Sequence, residues 1–267
     1  MDGMQDIGTT RMIARVEGPV GWMVFNNPER RNAVSTDMWE AVPLIVERFM
    51  ADPEIRLIAL TGAGGRAFVS GADISQFEQQ RSNAEQVARY EQTAERASTA
   101  IKTAGKPTVA VIRGWCIGGG LAIAANCDLR FASEGSKFGV PAGRLGLGYA
   151  HKGVQTLMDI VGPAYTKEIF YTARHFTALE AQGMGFVNRV VPDAELDAFV
   201  AGQFATMAAN APMTLRTLKR TVAELLRGPE ADIAACKQMV AECFASADYK
   251  DGRQAFMEKR QPVFTGR

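Results

Sequence analysis

Charge imbalance is nearly absent from this chain: 30 Lys and Arg stand against 29 Asp and Glu, for a net charge of +1. That lacks the basic excess by which nucleic acids or anionic membrane surfaces are bound, so neither partner is expected. Histidine is scarce, with His151 and His175 alone, and the four cysteines (Cys116, Cys127, Cys236, Cys243) form no CxxC pair. No metal site is expected from such a set, and unpaired thiols suit a reducing, cytoplasmic compartment. No apolar run reaches the roughly 18 residues of a membrane span. The opening MDGMQDIGTTRM has no basic region followed by an apolar stretch, so no secretory signal is expected. What the chain does have is an ordinary globular composition, 47% hydrophobic and 22% charged over 267 residues. That suffices for one large domain, or for a domain with an appendage.

Hydrophobic periodicity sets the organisation. Residues 11–26 alternate weakly and break at Glu17-Gly18-Pro19, which predicts a β-hairpin. Met38, Val42, Ile45, Val46 and Phe49 recur at helical spacing, with Ser35 or Thr36 as a cap and Pro43 as an expected kink. The runs IRLIALTG, PTVAVIRG, LRFAS and FVNRVVP read as buried strands, separated by helical patterns at 83–104, GPAYTKEIFYT and TALEAQGMG. Beyond about Asp193 only helical patterns follow. The expected fold class is α/β, with a core over residues 1–192 and an all-helical C-terminal region over 193–267.

Two glycine-rich turns carry the chemistry. In GWCIGGGLAIAANCD (114–128), Gly118, Gly119 and Gly120 lie between a strand and a helix starting near Gly120. Unpaired amides at a helix start, with no Cβ in the way, can meet a ligand oxygen closely. A tight strand-to-helix turn packed on a neighbour explains the same glycines without a ligand. A Rossmann turn or a P-loop needs GxGxxG or Gly-Lys-Ser/Thr, and neither spacing is present. A second turn, GAGGRAFVSGADI (62–74), runs from a strand through glycines toward a short helix expected over 73–79. Two such turns can supply the two donors of an oxyanion hole. Ser70 is not expected to be a nucleophile, because GxSxG would put glycine where Phe68 stands.

Taken in order, NNPERRNAV (26–34), AFVSGADI (67–74), VIRGWCIGGGLAIAANCDLRFAS (111–133), KFGVPAGRLGLGY (137–149), GMGFVNRVVP (183–192) and DGRQAFMEKRQPVF (251–264) resemble the crotonase family of enoyl-CoA hydratases, isomerases and their relatives. The resemblance implies a spiral of ββα units followed by a helical trimerisation region, giving a homotrimer or homohexamer. It implies an acyl-CoA thioester substrate, with coenzyme A arriving as part of that substrate rather than as a separate cofactor. By the resemblance, the thioester oxygen sits between the amides of Ser70 and Gly119. Arg30 and Arg31 are candidates for CoA phosphates, Ser70, Gly71, Ala72 and Asp73 would line the CoA channel, and Phe256 and Lys259 would reach CoA from a neighbouring subunit.

The chain departs from the family where hydratases carry two glutamates: those positions hold Ala122 and Ala142. Alanine moves no proton, so the standard acid and base are gone. Candidates to replace them are His151, which titrates near neutrality, and Tyr149. Arg144 is a candidate for binding a substrate carboxylate. Glu78 could point either way, Asp73 reads as structural in the family, and His175 as structural. Three readings stay open: a hydratase/isomerase-type enzyme with altered acid and base groups, another acyl-CoA reaction (decarboxylation, thioester hydrolysis or C–C cleavage), or a non-catalytic acyl-CoA-binding subunit.

Overall fold

A computed structural model of the chain describes residues 7–73 and 83–267. Strands β1 (Met12–Glu17) and β2 (Val20–Phe25) form the hairpin predicted by the Glu17-Gly18-Pro19 break, in register from Met12↔Phe25 to Glu17↔Val20. Helix α1 (Thr36–Ala51) buries Met38, Val42, Ile45, Val46 and Phe49, the stripe read from the sequence. Ser35 takes the N-cap position, but its hydroxyl bonds the Asp37 carboxylate rather than a helix amide, and the helix runs on through Pro43.

A unit of two strands and a helix then recurs three times. First come β3 (Leu57–Gly62), β4 (Ala67–Val69) and α2 (Ala84–Thr103), then β5 (Thr108–Ile112), β6 (Trp115–Ile117) and α3 (Gly119–Ala125). The third unit is β7 (Leu129–Ser133), β8 (Lys137–Gly139) and, after a short 3-10 turn at Pro141–Arg144, α4 (His151–Thr172). Helix α4 breaks its helical geometry at Gly162, just before Pro163. The first strand of each unit enters a six-stranded sheet, ordered β1-β2-β3-β5-β7-β10 and parallel from β2 onward. The second enters a smaller sheet, β4-β6-β8-β9. Each unit therefore advances one position in both sheets, which is the ββα spiral. Strand β9 (Phe176–Thr177), helix α5 (Ala178–Gly183) and strand β10 (Arg189–Val191) complete the core.

Four helices follow: α6 (Leu196–Ala208), α7 (Pro212–Leu225), α8 (Ile233–Ala245) and α9 (Ala247–Glu258). Helix α6 lays Leu196, Val200 and Phe204 against Leu57, Ala59, Val109, Val111 and Phe131 of the large sheet. It thereby covers the sheet face opposite the main core, as a largely parallel sheet requires. Helix α7 is anchored through Lys219, 2.9 Å from the Asp128 carboxylate and 3.1 Å from the Lys106 carbonyl. Helices α7–α9 leave Leu218, Leu225, Phe244, Phe256 and Met257 exposed. No helix among the described residues is long and apolar enough to cross a membrane.

Candidate functional site

The stretch 26–34 acts as a clasp on the loop after β4. Asn32, fully buried and in the left-handed region (φ 57°), donates from Nδ2 to the carbonyls of Ala63 (2.9 Å) and Ala67 (2.8 Å), while its Oδ1 accepts the Asn27 amide at 2.9 Å. The Val34 amide donates to the Gly71 carbonyl (2.8 Å), and the Asp73 amide to the Val34 carbonyl (2.9 Å). Arg30 donates to both oxygens of the buried Asp73 carboxylate, at 2.9 and 3.2 Å.

The clasp corrects the reading of Ser70. Its amide donates to the Arg31 carbonyl at 3.1 Å, and its hydroxyl to the Arg30 carbonyl at 3.3 Å, so its polar hydrogens are used inside the protein. Two residues on, Ala72 forms a parallel bridge with Val34. In that bridge Val34 exchanges its bonds with Gly71 and Asp73, which turns the Ala72 amide to the opposite side of the strand. That amide makes no hydrogen bond among the described residues. What separates Ala72 from Ser70 is that the Arg31 carbonyl takes the Ser70 amide while no clasp carbonyl takes that of Ala72, and this appears only once the clasp is known.

The three glycines answer to three different neighbours. Gly118 has φ 53° and ψ −112°, a conformation closed to side chains, and its amide donates to the Gly139 carbonyl at 2.8 Å. A Cβ on Gly120 would lie 2.1 Å from the Val69 carbonyl oxygen, so this glycine lets α3 pack on β4. Gly119 is the one with room for a side-chain carbon at van der Waals distance and no positive φ. Its Cβ would stand 3.6 Å from Trp39 Cζ2 and 3.7 Å from the Ala72 nitrogen, both ordinary contacts. As the first residue of α3 its amide has no partner within the helix, and it makes no other bond among the described residues. Two unpaired amides, Ala72 and Gly119, thus border one corner, backed by the Trp39 ring.

A small cavity opens beside that corner, lined by Leu121, Ala122, Ala125, Val140, Tyr149, Gly153, Leu157 and Phe170. Ala122 is on its wall, whereas Ala142 is buried in the 3-10 turn and is not among the described lining residues. Among the described lining residues Tyr149 alone brings a hydroxyl, its ring set edge-on to Phe170 with centroids 4.9 Å apart. His151 is exposed at the first residue of α4 and Arg144 is exposed in the 3-10 turn, and neither lines the cavity. His175 stacks edge-on against Trp115 at 5.1 Å. Glu78 and the helix expected over 73–79 fall, from residue 74 onward, outside the described residues. Burial disfavours the thiolate of Cys116 and Cys127, pushing Cys127 up to about 12 and raising Cys116 as well.

Of the residues expected to hold CoA, Gly71 is buried and Ala72 partly exposed at the corner. One of these readings needs correction: Asp73 is buried and paired, so its side chain does not line an open channel. Arg30 donates to Asp73 through one guanidinium nitrogen, and its side chain is otherwise half-exposed. Arg31 is exposed, with no side-chain bond among the described residues. Phe256 (83% exposed) and Lys259 lie at the end of α9.

The spiral of ββα units with its trailing helices defines a crotonase-like fold. The profile of the enoyl-CoA hydratase/isomerase family matches residues 15–267, and the chain belongs to that family, as an enzyme of the enoyl-CoA hydratase type. It is 32% identical to a short-chain enoyl-CoA hydratase of Clostridium acetobutylicum, over 94% of this chain and 95% of that protein. A crotonyl-CoA hydratase of Syntrophomonas wolfei is also 32% identical, over 95% and 97%. Among solved structures, an enoyl-CoA hydratase/carnithine racemase from Magnetospirillum magneticum superposes with a TM-score of 0.91 at 34% identity, covering 97% of each chain.

Proposed function

We propose that the chain binds an acyl-CoA thioester and stabilises its enolate with the amides of Ala72 and Gly119. The observation that carries this reading is the pair of unpaired amides at one corner, held in place by the clasp on one side and by the Gly118–Gly120 turn on the other. Chemistry at Cα of a thioester moves negative charge onto the carbonyl oxygen. Fixed donors aimed at that oxygen bind the transition state more tightly than the ground state. The relatives' names supply the acyl-CoA class, since both curated hydratases act on enoyl thioesters.

The proton-moving step differs from that of a two-glutamate hydratase. Ala122 puts a methyl group on the cavity wall, and the polar side chain among the described lining residues is Tyr149. Tyr149 is therefore our candidate for proton transfer, ahead of His151. Acetoacetyl-CoA, whose Cα proton is acidic, tests the hole without needing turnover. With excess protein, its enolate absorption band should grow at a pH where the free thioester is mostly protonated. No growth of the band while the ligand is bound would refute the hole.

The apolar wall at Ala122 favours a second reading, in which the hole serves another enolate reaction, such as decarboxylation, or binding alone. Turnover of crotonyl-CoA separates the two. Ala122→Glu is expected to raise hydration on the second reading, because it returns a carboxylate to a site built around the same oxygen.

A further inference from the structure

Helix α4 carries a glycine at its third residue, Gly153, where most residues would suit a helix better by up to about 1 kcal/mol. The missing side chain makes room for a ring. A Cβ there would lie 3.4 Å from Tyr149 Cε1 and 3.5 Å from Cδ1. The same ring meets Phe170 edge-on, the planes inclined at 72°. Tyr149 is thus held between a glycine on the first turn of α4 and an aromatic ring nearly five turns further along. Together with Leu157 these residues close one end of the cavity whose other side is Leu121, Ala122, Ala125 and Val140.

The corner and the cavity are joined by helix α3. Ala122 follows Gly119 by three residues, on the same helix face and about 4.5 Å along the axis. A thioester whose oxygen is held at Gly119 carries its Cβ and the rest of its acyl chain past Ala122, toward the Tyr149 ring. We propose that Tyr149, seated on Gly153, is the end wall of the acyl site, and that the chain selects short, uncharged acyl thioesters. The proposal rests on the acyl-CoA reading above. Among the described lining residues the Tyr149 phenol alone is ionisable, so a carboxylated acyl chain would be dehydrated against them without an ion partner. Arg144 does not reach the wall to supply one.

Calorimetric dissociation constants for acetyl-, butyryl-, hexanoyl-, octanoyl- and decanoyl-CoA test it, measured on the full-length wild type, Tyr149→Ala and Gly153→Val. In the wild type each added methylene should tighten binding about fourfold until the wall is met, and longer chains should then gain nothing or weaken. Tyr149→Ala should move that break to longer chains by two carbons or more. Gly153→Val displaces the ring into the cavity and should move the break to shorter chains. Succinyl-CoA should bind at least tenfold more weakly than butyryl-CoA, which has the same carbon count. A wild-type series without a break, breaks unmoved in a folded variant, or succinyl-CoA binding as tightly as butyryl-CoA would each overturn the end wall while leaving the hole intact. Failure of every thioester to bind would instead overturn the acyl-CoA reading and the wall with it.

Discussion

Gly119→Ala isolates the corner from the fold. The added methyl meets Trp39 Cζ2 at 3.6 Å and the Ala72 nitrogen at 3.7 Å, both at van der Waals distance, and Gly119 does not have a positive φ. Alanine is also the better helix former. The variant should therefore fold and melt at the wild-type temperature or slightly above it. An oxygen accepting from both amides must lie about 2.9 Å from each nitrogen. The methyl lies in that same corner, so oxygen and methyl compete for one volume. Losing one such donor costs about 3–4 kcal/mol of charge stabilisation. For acetoacetyl-CoA, where 1.36 kcal/mol is one unit, that cost returns the Cα proton of the bound ligand upward by about two to three units. The sign follows from the charge: donors favour the enolate and depress the ligand's proton affinity, so weakening them raises it. The enolate band of the bound ligand should then appear only at correspondingly higher pH, with a parallel loss of about 10²-fold or more in any turnover through an enolate. A folded Gly119→Ala protein that binds acetoacetyl-CoA and shows the wild-type enolate titration would refute the assignment of this corner.

The neighbouring positions should respond differently. Gly120→Ala sets a carbon 2.1 Å from the Val69 carbonyl oxygen, where backbone must move, so it should lower the melting temperature by several degrees or prevent soluble expression. Arg30→Met leaves the buried Asp73 carboxylate without its ion partner and should destabilise by about 1–3 kcal/mol in denaturant melts. Asp73→Asn in the Arg30→Met background should recover part of that loss. The Glu180 carboxyl is held down at about 2, from its ordinary 4.5, by the Thr177 amide first and then by Arg174. Its folded-state value is depressed, so its stabilisation is complete above about pH 5 and fades as pH falls through 4.5 toward 2; Glu180→Gln should flatten that part of the stability curve.

The spiral was legible in outline and hidden in detail, for a physical reason. Strands β3, β5 and β7 are five or six residues long and buried, so they read as apolar runs. Strands β4, β6, β8 and β9 have two or three residues each, too few for any alternation to register. They are set by pairing with each other across the units, a long-range fact. The site divides in the same way. Gly119 stood out because a glycine triplet is a local signal. Ala72 did not, because an alanine becomes a donor only through the clasp that engages the Gly71 carbonyl before it and the Asp73 amide after it. Tyr149 meets the cavity through Gly153 and Phe170, which α4 brings to it from 4 and 21 residues away.

On the reading proposed above, that division bears on how the chain would keep one half of a catalytic apparatus without the other. The two proposed donors are backbone amides, fixed by interactions that also hold the fold together: the Asn32 clasp, the β4–β6 pairing, and the contact of Gly120 with Val69. Proline apart, no substitution at 72 deletes its amide, and a change at 118 or 120 strains the fold before it alters the chemistry. The acid and base of a hydratase are side chains instead, and Ala122 shows that its position accepts a methyl group with no structural cost: it is partly exposed and its neighbours are apolar. The proposed backbone hole would thus be preserved by folding alone, whereas proton-transfer side chains persist only while a reaction needs them. On that reading, alanines at 122 and 142 point to a changed reaction more strongly than the hole points to an unchanged one. For this reason the enolate titration and the hydration assay should be measured on the same protein: a strong enolate shift with slow hydration would locate the change in the proton-transfer groups alone.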